Sequence, residues 1–340
     1  MRHVNIPIFI PHMGCPNQCV FCNQRSISGH LDFSIDDARR EIETALSTVS
    51  AECETEIAFF GGSFTGIDRS LMIDLLEIAQ KYIDAGKVSS IRLSTRPDYI
   101  NDEILGILSS YGVKTIELGL QSMDEGVLDA CKRGHDASCA ETACRKIKER
   151  GFSLIGQMMI GLPNSDTAKE VMTAQKICDM GADGARIYPT VVFYETELAE
   201  MMKNGNYIPL ELSDAVQRTK NALAVFVQRG VPCIRVGLCA GENLSSPETV
   251  CGGANHSAIG ELAMSALYLD KIEEKLSAFD GGIAGKDLII YVPRGEISKA
   301  VGQKRANIEK ISQKYRPRRI KVLEKDELLR YNIIIDFSDR

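Results

Sequence analysis

His12-Met13-Gly14-Cys15-Pro16-Asn17-Gln18-Cys19-Val20-Phe21-Cys22 is the stretch from which the rest of the chain can be read. It follows the apolar run Ile6 to Ile10, which is short and branched and so reads as a buried strand. The three cysteines therefore lie on a loop leaving a strand end. Thiolates at such spacing converge on one soft metal centre, and two metals fit. With His12 as fourth ligand the set is a Cys3His zinc site. Without it, three thiolates hold a four-iron cluster and leave one iron free for a substrate or cofactor.

Downstream, strand-like runs alternate with amphipathic stretches. Glu56 to Phe60 runs into Gly61-Gly62-Ser63, Ser90 to Thr95 into Arg96-Pro97-Asp98, and Thr115 to Leu120 into Gln121-Ser122. Phe152 to Ile160 runs into Gly161-Leu162-Pro163, and Gly184 to Tyr188 into Pro189-Thr190. Ser34, with acidic residues close behind it, predicts a helix N-cap. About six strands in this alternation predict an α/β fold with a parallel sheet. Glycines, polar residues and prolines gather just after the strands, where such sheets and barrels build their sites. The pattern alone does not choose between an open sheet and a barrel.

The CX3CX2C triplet, with Phe21 directly before the last cysteine, resembles the cluster loop of radical S-adenosylmethionine (SAM) enzymes. The surrounding FIPHMGCPNQCVFCNQRSISG resembles the Elongator-type branch of that superfamily. The resemblance extends over roughly residues 4–265. It implies a [4Fe–4S] cluster on Cys15, Cys19 and Cys22, SAM bound to the fourth iron through its amino and carboxylate groups, and a partial (β/α)6 TIM-like barrel. Gly61 and Gly62 fall at the superfamily's second-strand glycine motif, which implies contact with the methionine amine of SAM. Ser63 stands where many members have Glu. Gln121 and Arg133 match SAM-contacting positions of the related oxygen-independent coproporphyrinogen dehydrogenases, and Gln157 falls near a ribose-binding position that is Asp there. An amide suits ribose hydroxyls, and a guanidinium suits a carboxylate. Lys132 to His135 (KRGH) and ARIYPTVVFYETELAEMMKNGNY resemble further Elongator-type stretches. The plain reading of each such residue is a turn or a fold contact; their common order along the chain favours the cofactor reading.

Cys233, Cys239, Cys251 and His256 resemble the end of that barrel, where the chain returns to the site. Cys239 and Cys251 are candidate hydrogen-atom donors or sulfur ligands, with small buried hydrophobes as the plain alternative. His256 is a candidate acid–base group or a cap for the helix from Ser257 to Lys275. Cys53, Cys131, Cys139, Cys144 and Cys178 lack partner spacing and read as structural.

The linker Ala278 to Gly285 divides a radical SAM core (1–277) from a tail (286–340). The tail predicts strand, helix, a Gly302-Gln303-Lys304-Arg305 turn, helix and two strands. YVPRGEISKAVGQKRANIEKI resembles a KH domain, a small α+β module that clamps single-stranded RNA on a Gly-x-x-Gly loop. Gly302, Lys304 and Arg305 are the candidate RNA contacts. Arg305 replaces the second glycine, so a docking or dimer module is the alternative.

Composition fits two jobs. The tail holds 14 Lys and Arg against 8 Asp and Glu, so a chain of formal charge −6 has an acidic body and a basic end. With 340 residues, 44% of them hydrophobic, there is enough chain for a large core and a small domain. No secretory or membrane-spanning run is present. Eleven cysteines without a leader argue for a reducing cytoplasm rather than a disulfide framework.

Together these readings predict a cytoplasmic radical SAM enzyme acting on RNA, tRNA foremost, fed by an electron donor such as flavodoxin or ferredoxin. No stretch leaves room for the acetyltransferase domain of Elongator's catalytic subunit, so the modification stays open. Two alternatives stand beside this: radical SAM chemistry on a small molecule, and a non-catalytic RNA-binding protein with a structural metal.

Overall fold

A computed structural model of the chain describes residues 3–10, 13–15, 19–22, 33–50, 52–238, 248–279 and 282–338. The predicted runs form β1 (His3–Ile10), β2 (Glu54–Gly61), β3 (Ser90–Thr95), β4 (Val113–Gln121), β5 (Ser153–Ile160) and β6 (Gly184–Pro189). Helices α1 (Ile35–Thr48), α2 (Arg69–Asp84), α3 (Asp102–Ser110), α4 (Glu125–Ala130), α5 (Ala137–Glu149) and α6 (Thr167–Asp179) fill the connections. Every pairing from β1 to β6 is parallel and between consecutive strands. The sheet is curled into a half-barrel of the partial TIM type.

Alternation along each strand explains the two faces of the sheet. Ile57, Phe59, Ile91, Leu93, Ile116 and Leu118 are buried in the main apolar core that the helices share. Their neighbours carry charge. Arg92 donates to Glu56 Oε2 at 2.9 Å and to Glu117 Oε1 at 2.9 Å, and Arg186 reaches the same Glu117 oxygen at 2.7 Å. This ladder spans five strands, β2 to β6, on the other, concave face. Burial works against the Glu56 charge, but Ser90, Arg92 and His3 more than offset it and hold the carboxyl below its ordinary range.

The helices start where the sequence places them. Ser34 Oγ accepts from Asp37 N at 3.2 Å, while Asp37 accepts from Ser34 N at 3.1 Å, a reciprocal capping box.

The sequence reading counted about six strands; among the described residues the sheet has seven. After β7 (Val191–Phe193), α7 (Glu197–Lys203) and α8 (Leu212–Gln228), the chain returns as β8 (Cys233–Val236), parallel to β6. Next, β9 (Val250–Gly253) pairs antiparallel with β7 beside the strand ends, and α9 (Ile259–Ser277) follows.

The tail repeats its predicted order: β10 (Asp287–Val292), α10 (Ile297–Val301), the turn at 303–305, α11 (Ala306–Tyr315), β11 (Arg319–Glu324) and β12 (Ile334–Ser338). β10 is central, parallel to β11 and antiparallel to β12. The tail leans on α9. Tyr331 N donates to Tyr268 Oη at 3.2 Å, and the two rings lie 5.3 Å apart. Leu288, Ile290 and Val292 join the same apolar core as Tyr268, Ile272 and Leu276. Phe279, in the linker, lies 4.2 Å from the Phe337 ring.

Candidate active site

The cysteine loop crosses the C-terminal ends of the first strands and is pressed onto them by glycines. Gly62 N donates to Ile10 O at 3.0 Å. A Cβ on Gly62 would fall 2.2 Å from Met13 O, and one on Gly14 would fall 2.2 Å from Ser63 O. The sequence reading gave Gly61 and Gly62 to close approach of a ligand. In the structure a Cβ on Gly61 would fall 2.4 Å from Ile10 O in β1, and the backbone closest to Gly62 is Met13 of the cysteine loop.

Cys15 is exposed, with its Sγ 3.5 Å from Ser63 Oγ. Cys19 is buried. Arg133 donates to its sulfur through Nη1 at 3.0 Å, and Arg96 through Nη1 at 3.7 Å. Arg96 is held in turn by Asp98, which accepts from Nε and Nη2 at 2.9 Å each, and by the Arg133 carbonyl. Burial opposes the Arg96 charge; the Asp98 hydrogen bonds and charge overcome it and keep the guanidinium firmly cationic. Cys22 N donates to Cys19 O at 2.9 Å. The loop is tied down from outside by Val20, whose N donates to Cys131 O and whose O accepts from Leu198 N.

Among the described residues, no three His, Cys, Asp or Glu side chains stand close enough together to hold a metal ion. His12, the zinc alternative's fourth ligand, lies outside the described residues. The donor set still suits a thiophilic centre: Cys15, Cys19 and Cys22 form no disulfide, and Cys19 lies against two cations. The surroundings also suit a polar cofactor. Gln121 is buried with φ +67°, and Gln157 donates to its Oε1 at 3.5 Å, so these two predicted residues meet. Arg133 bonds Gly119 O through Nη2 at 2.6 Å, and its buried Nε has no partner among the described residues.

The remaining candidates are more scattered. Cys251, on β9, donates to Val192 O at 3.5 Å and packs against the cluster of Val20, Cys131 and Leu198; burial pushes its thiol up. His256 Nδ1 accepts from Ala258 N at 3.1 Å, just ahead of α9, whose N-cap Ala258 has no side-chain cap bond. Cys239 lies outside the described residues. Cys131 and Cys144 are fully buried, each thiol pushed up to about 12 chiefly by burial, as structural cysteines should be. Gly302 is buried with φ +81° against Asn307 and Ser265, while Lys304 and Arg305 are exposed in left-handed backbone.

Arg96 was missed as a site residue. Its signal was available: it directly follows β3, at the strand-end position that flagged Gly61 and Gln121, and Pro97 after it favours extended backbone there. The concave ladder of Glu56, Arg92, Glu117 and Arg186 was missed as well.

A model of the radical SAM superfamily matches residues 9–175, and one of the radical SAM C-terminal domain matches residues 182–269. The chain belongs to the radical SAM superfamily. Members of that superfamily use a [4Fe–4S] cluster and SAM. Over 222 residues the chain is 28% identical to the tRNA uridine(34) acetyltransferase of Methanocaldococcus jannaschii, covering 62% of this chain and 37% of the relative. Over 251 residues it is 26% identical to Elongator complex protein 3 of Homo sapiens, covering 71% and 39%. The chain thus spans less than two fifths of these two relatives. Among solved structures, the archaeal Methanocaldococcus infernus Elp3 with an N-terminal deletion matches at a TM-score of 0.61 and 22% identity, covering 81% of this chain and 63% of that one. At that identity the likeness is one of radical SAM fold.

Proposed function

We propose that this radical SAM protein holds a [4Fe–4S] cluster on Cys15, Cys19 and Cys22, cleaves SAM reductively, and modifies RNA, tRNA foremost. One observation carries the reading: the cysteine loop, the Gln121–Gln157 pair and Arg133 meet at one end of the parallel sheet, with Arg133 on the sulfur of Cys19. Held by Cys15, Cys19 and Cys22, the cluster would supply one-electron reductive cleavage of SAM and so the means of hydrogen-atom abstraction from the substrate. The chain's own residues bind and shield. Gln121 and Gln157 offer amides to ribose hydroxyls, Arg133 Nε offers a free donor to a carboxylate, and the strand ends keep the site dry. Cys239, Cys251 and His256 are the candidate groups for a later hydrogen-atom or proton step.

RNA is favoured over a small molecule by the relatives, one named for tRNA uridine(34), and by the basic tail. The acetyl transfer in that name is said of the relative, of which this chain covers 37%. The tail, residues 286–340, is read as a KH-like module, with Lys304 and Arg305 meeting phosphates while a target base reaches the barrel mouth. A flavodoxin or ferredoxin is the expected electron donor, and the cytoplasm the expected compartment. Among the described residues, no helix is long and apolar enough to cross a membrane.

The test is anaerobic reconstitution with iron and sulfide, then dithionite, SAM and bulk tRNA, with 5'-deoxyadenosine as the readout. Deoxyadenosine that rises with tRNA is the expected result. Production indifferent to tRNA moves the substrate to a small molecule or another RNA. None from a fully loaded protein overturns the reading.

A further inference from the structure

We infer that Arg96 is a positioning residue that sets the reduction potential of the cluster through the Cys19 sulfur; the inference rests on the cluster assignment above. Arg96 is 4% exposed, and each nitrogen of its guanidinium has a partner. Nε and Nη2 are taken by the two oxygens of Asp98, and Nη2 also meets the Arg133 carbonyl. That fork leaves Nη1 facing Cys19 Sγ at 3.7 Å. The same sulfur receives Arg133 Nη1 at 3.0 Å.

A fold contact alone would need only the Asp98 fork and the carbonyl. The third direction places a second buried cation beside one ligand sulfur. Protein-tuned potentials of iron–sulfur centres depend on net charge, hydrogen bonds to sulfur and exposure. One electron taken from an external one-electron reductant adds one negative charge at the cluster, with no bond made or broken there. Two guanidiniums in a low-dielectric setting favour that more negative state. Arg96 therefore raises the potential, easing reduction from a weak donor. Arg133 also carries the unpartnered Nε offered to a cofactor, so Arg96, fully engaged by the protein, is the residue whose effect is separable from cofactor binding.

The test is EPR-monitored potentiometry of the reconstituted protein without SAM, comparing wild type with Arg96→Gln and Arg96→Lys. The expected result is a midpoint shifted to more negative values in the Gln variant at unchanged iron content. The shift should be smaller but of the same sign in Lys, whose ammonium cannot hold Asp98 and reach the sulfur together. A wild-type midpoint in whichever variant loads overturns the inference. So does failure of both to take up iron, which makes Arg96 a building element of the site. If wild type itself takes up no cluster, the cluster assignment fails instead.

Discussion

Arg133 Nη1 lies 3.0 Å from the sulfur of Cys19, a partner 114 residues away in the chain. The contact joins the loop after β1 to the segment after α4, so the cysteine loop and that segment are held as one unit. Cys131 lies close by: its carbonyl accepts from Val20 N and its side chain packs with Val20, but its thiol is buried and held protonated. Cys19→Ala should therefore abolish iron uptake, while Cys131→Ala should keep it near wild type. Iron and sulfide analysis after reconstitution separates the two; equal loss in both would break the assignment.

Gly62→Ala places a methyl 2.2 Å from Met13 O, where backbone must shift. Overpacking of this kind costs roughly 1–3 kcal/mol. The strain falls on the cysteine loop more than on the strands. Iron uptake should drop several-fold while far-UV circular dichroism stays unchanged. Full uptake would mean that the loop does not need this contact.

His135 is held neutral, its pKa pulled down to about 4 by burial and then by the Arg133 charge. An unfolded chain protonates His near 6.5. Between those values the unfolded state binds the extra proton, so stability is lost as pH falls through this window. His135→Gln should make the fall in Tm between about pH 6.5 and 4 shallower. Parallel Tm curves for the two proteins would contradict the buried, neutral assignment.

Asn307 Nδ2 bonds Ser265 O at 2.9 Å, Ser265 Oγ at 3.0 Å and Ala300 O at 3.1 Å, stitching the tail's turn to α9. Asn307→Ala removes the buried donor to Ser265 and Ala300 and should destabilise the tail by about 0.5–1.5 kcal/mol. Hydrogen exchange should quicken across 286–338 and α9 and leave β1 to β6 protected. Uniform protection would show that the apolar contacts alone secure the tail.

Lys304 and Arg305 are exposed at the tip of that turn, each in left-handed backbone. Replacing both with Ala should weaken single-stranded RNA binding and flatten the salt dependence by about 1.4 in log–log slope, two phosphate contacts' worth. Unchanged affinity and slope would favour the docking alternative.

Much of the half-barrel was legible because each of β1 to β6 is a short apolar run stopped by Gly, Pro or a polar residue. β8 was hidden: Cys233-Ile234-Arg235-Val236 is four residues long, and its Ile234 is exposed. β7 and β9 are three and four residues long, too short for any period to show. The tail was legible by order of elements, but not its seat on α9, since Tyr268, Ser265 and Asn307 have no sequence signal that pairs them. Gln157, inside β5, was found by resemblance alone, and Gln121 by strand-end position and resemblance. Arg96 had the same position and was read only as the end of a strand. Glu56, Arg92, Glu117 and Arg186 are single charges within apolar runs, and only register across the five parallel strands β2 to β6 turns them into a ladder.

The most direct test of the central claim is the EPR spectrum of the dithionite-reduced, reconstituted protein with and without SAM. A cluster held by Cys15, Cys19 and Cys22, with one iron open, predicts a signal whose g-values change when SAM is added. A signal identical in both samples, or no iron–sulfur signal from a protein that has taken up iron, would contradict it.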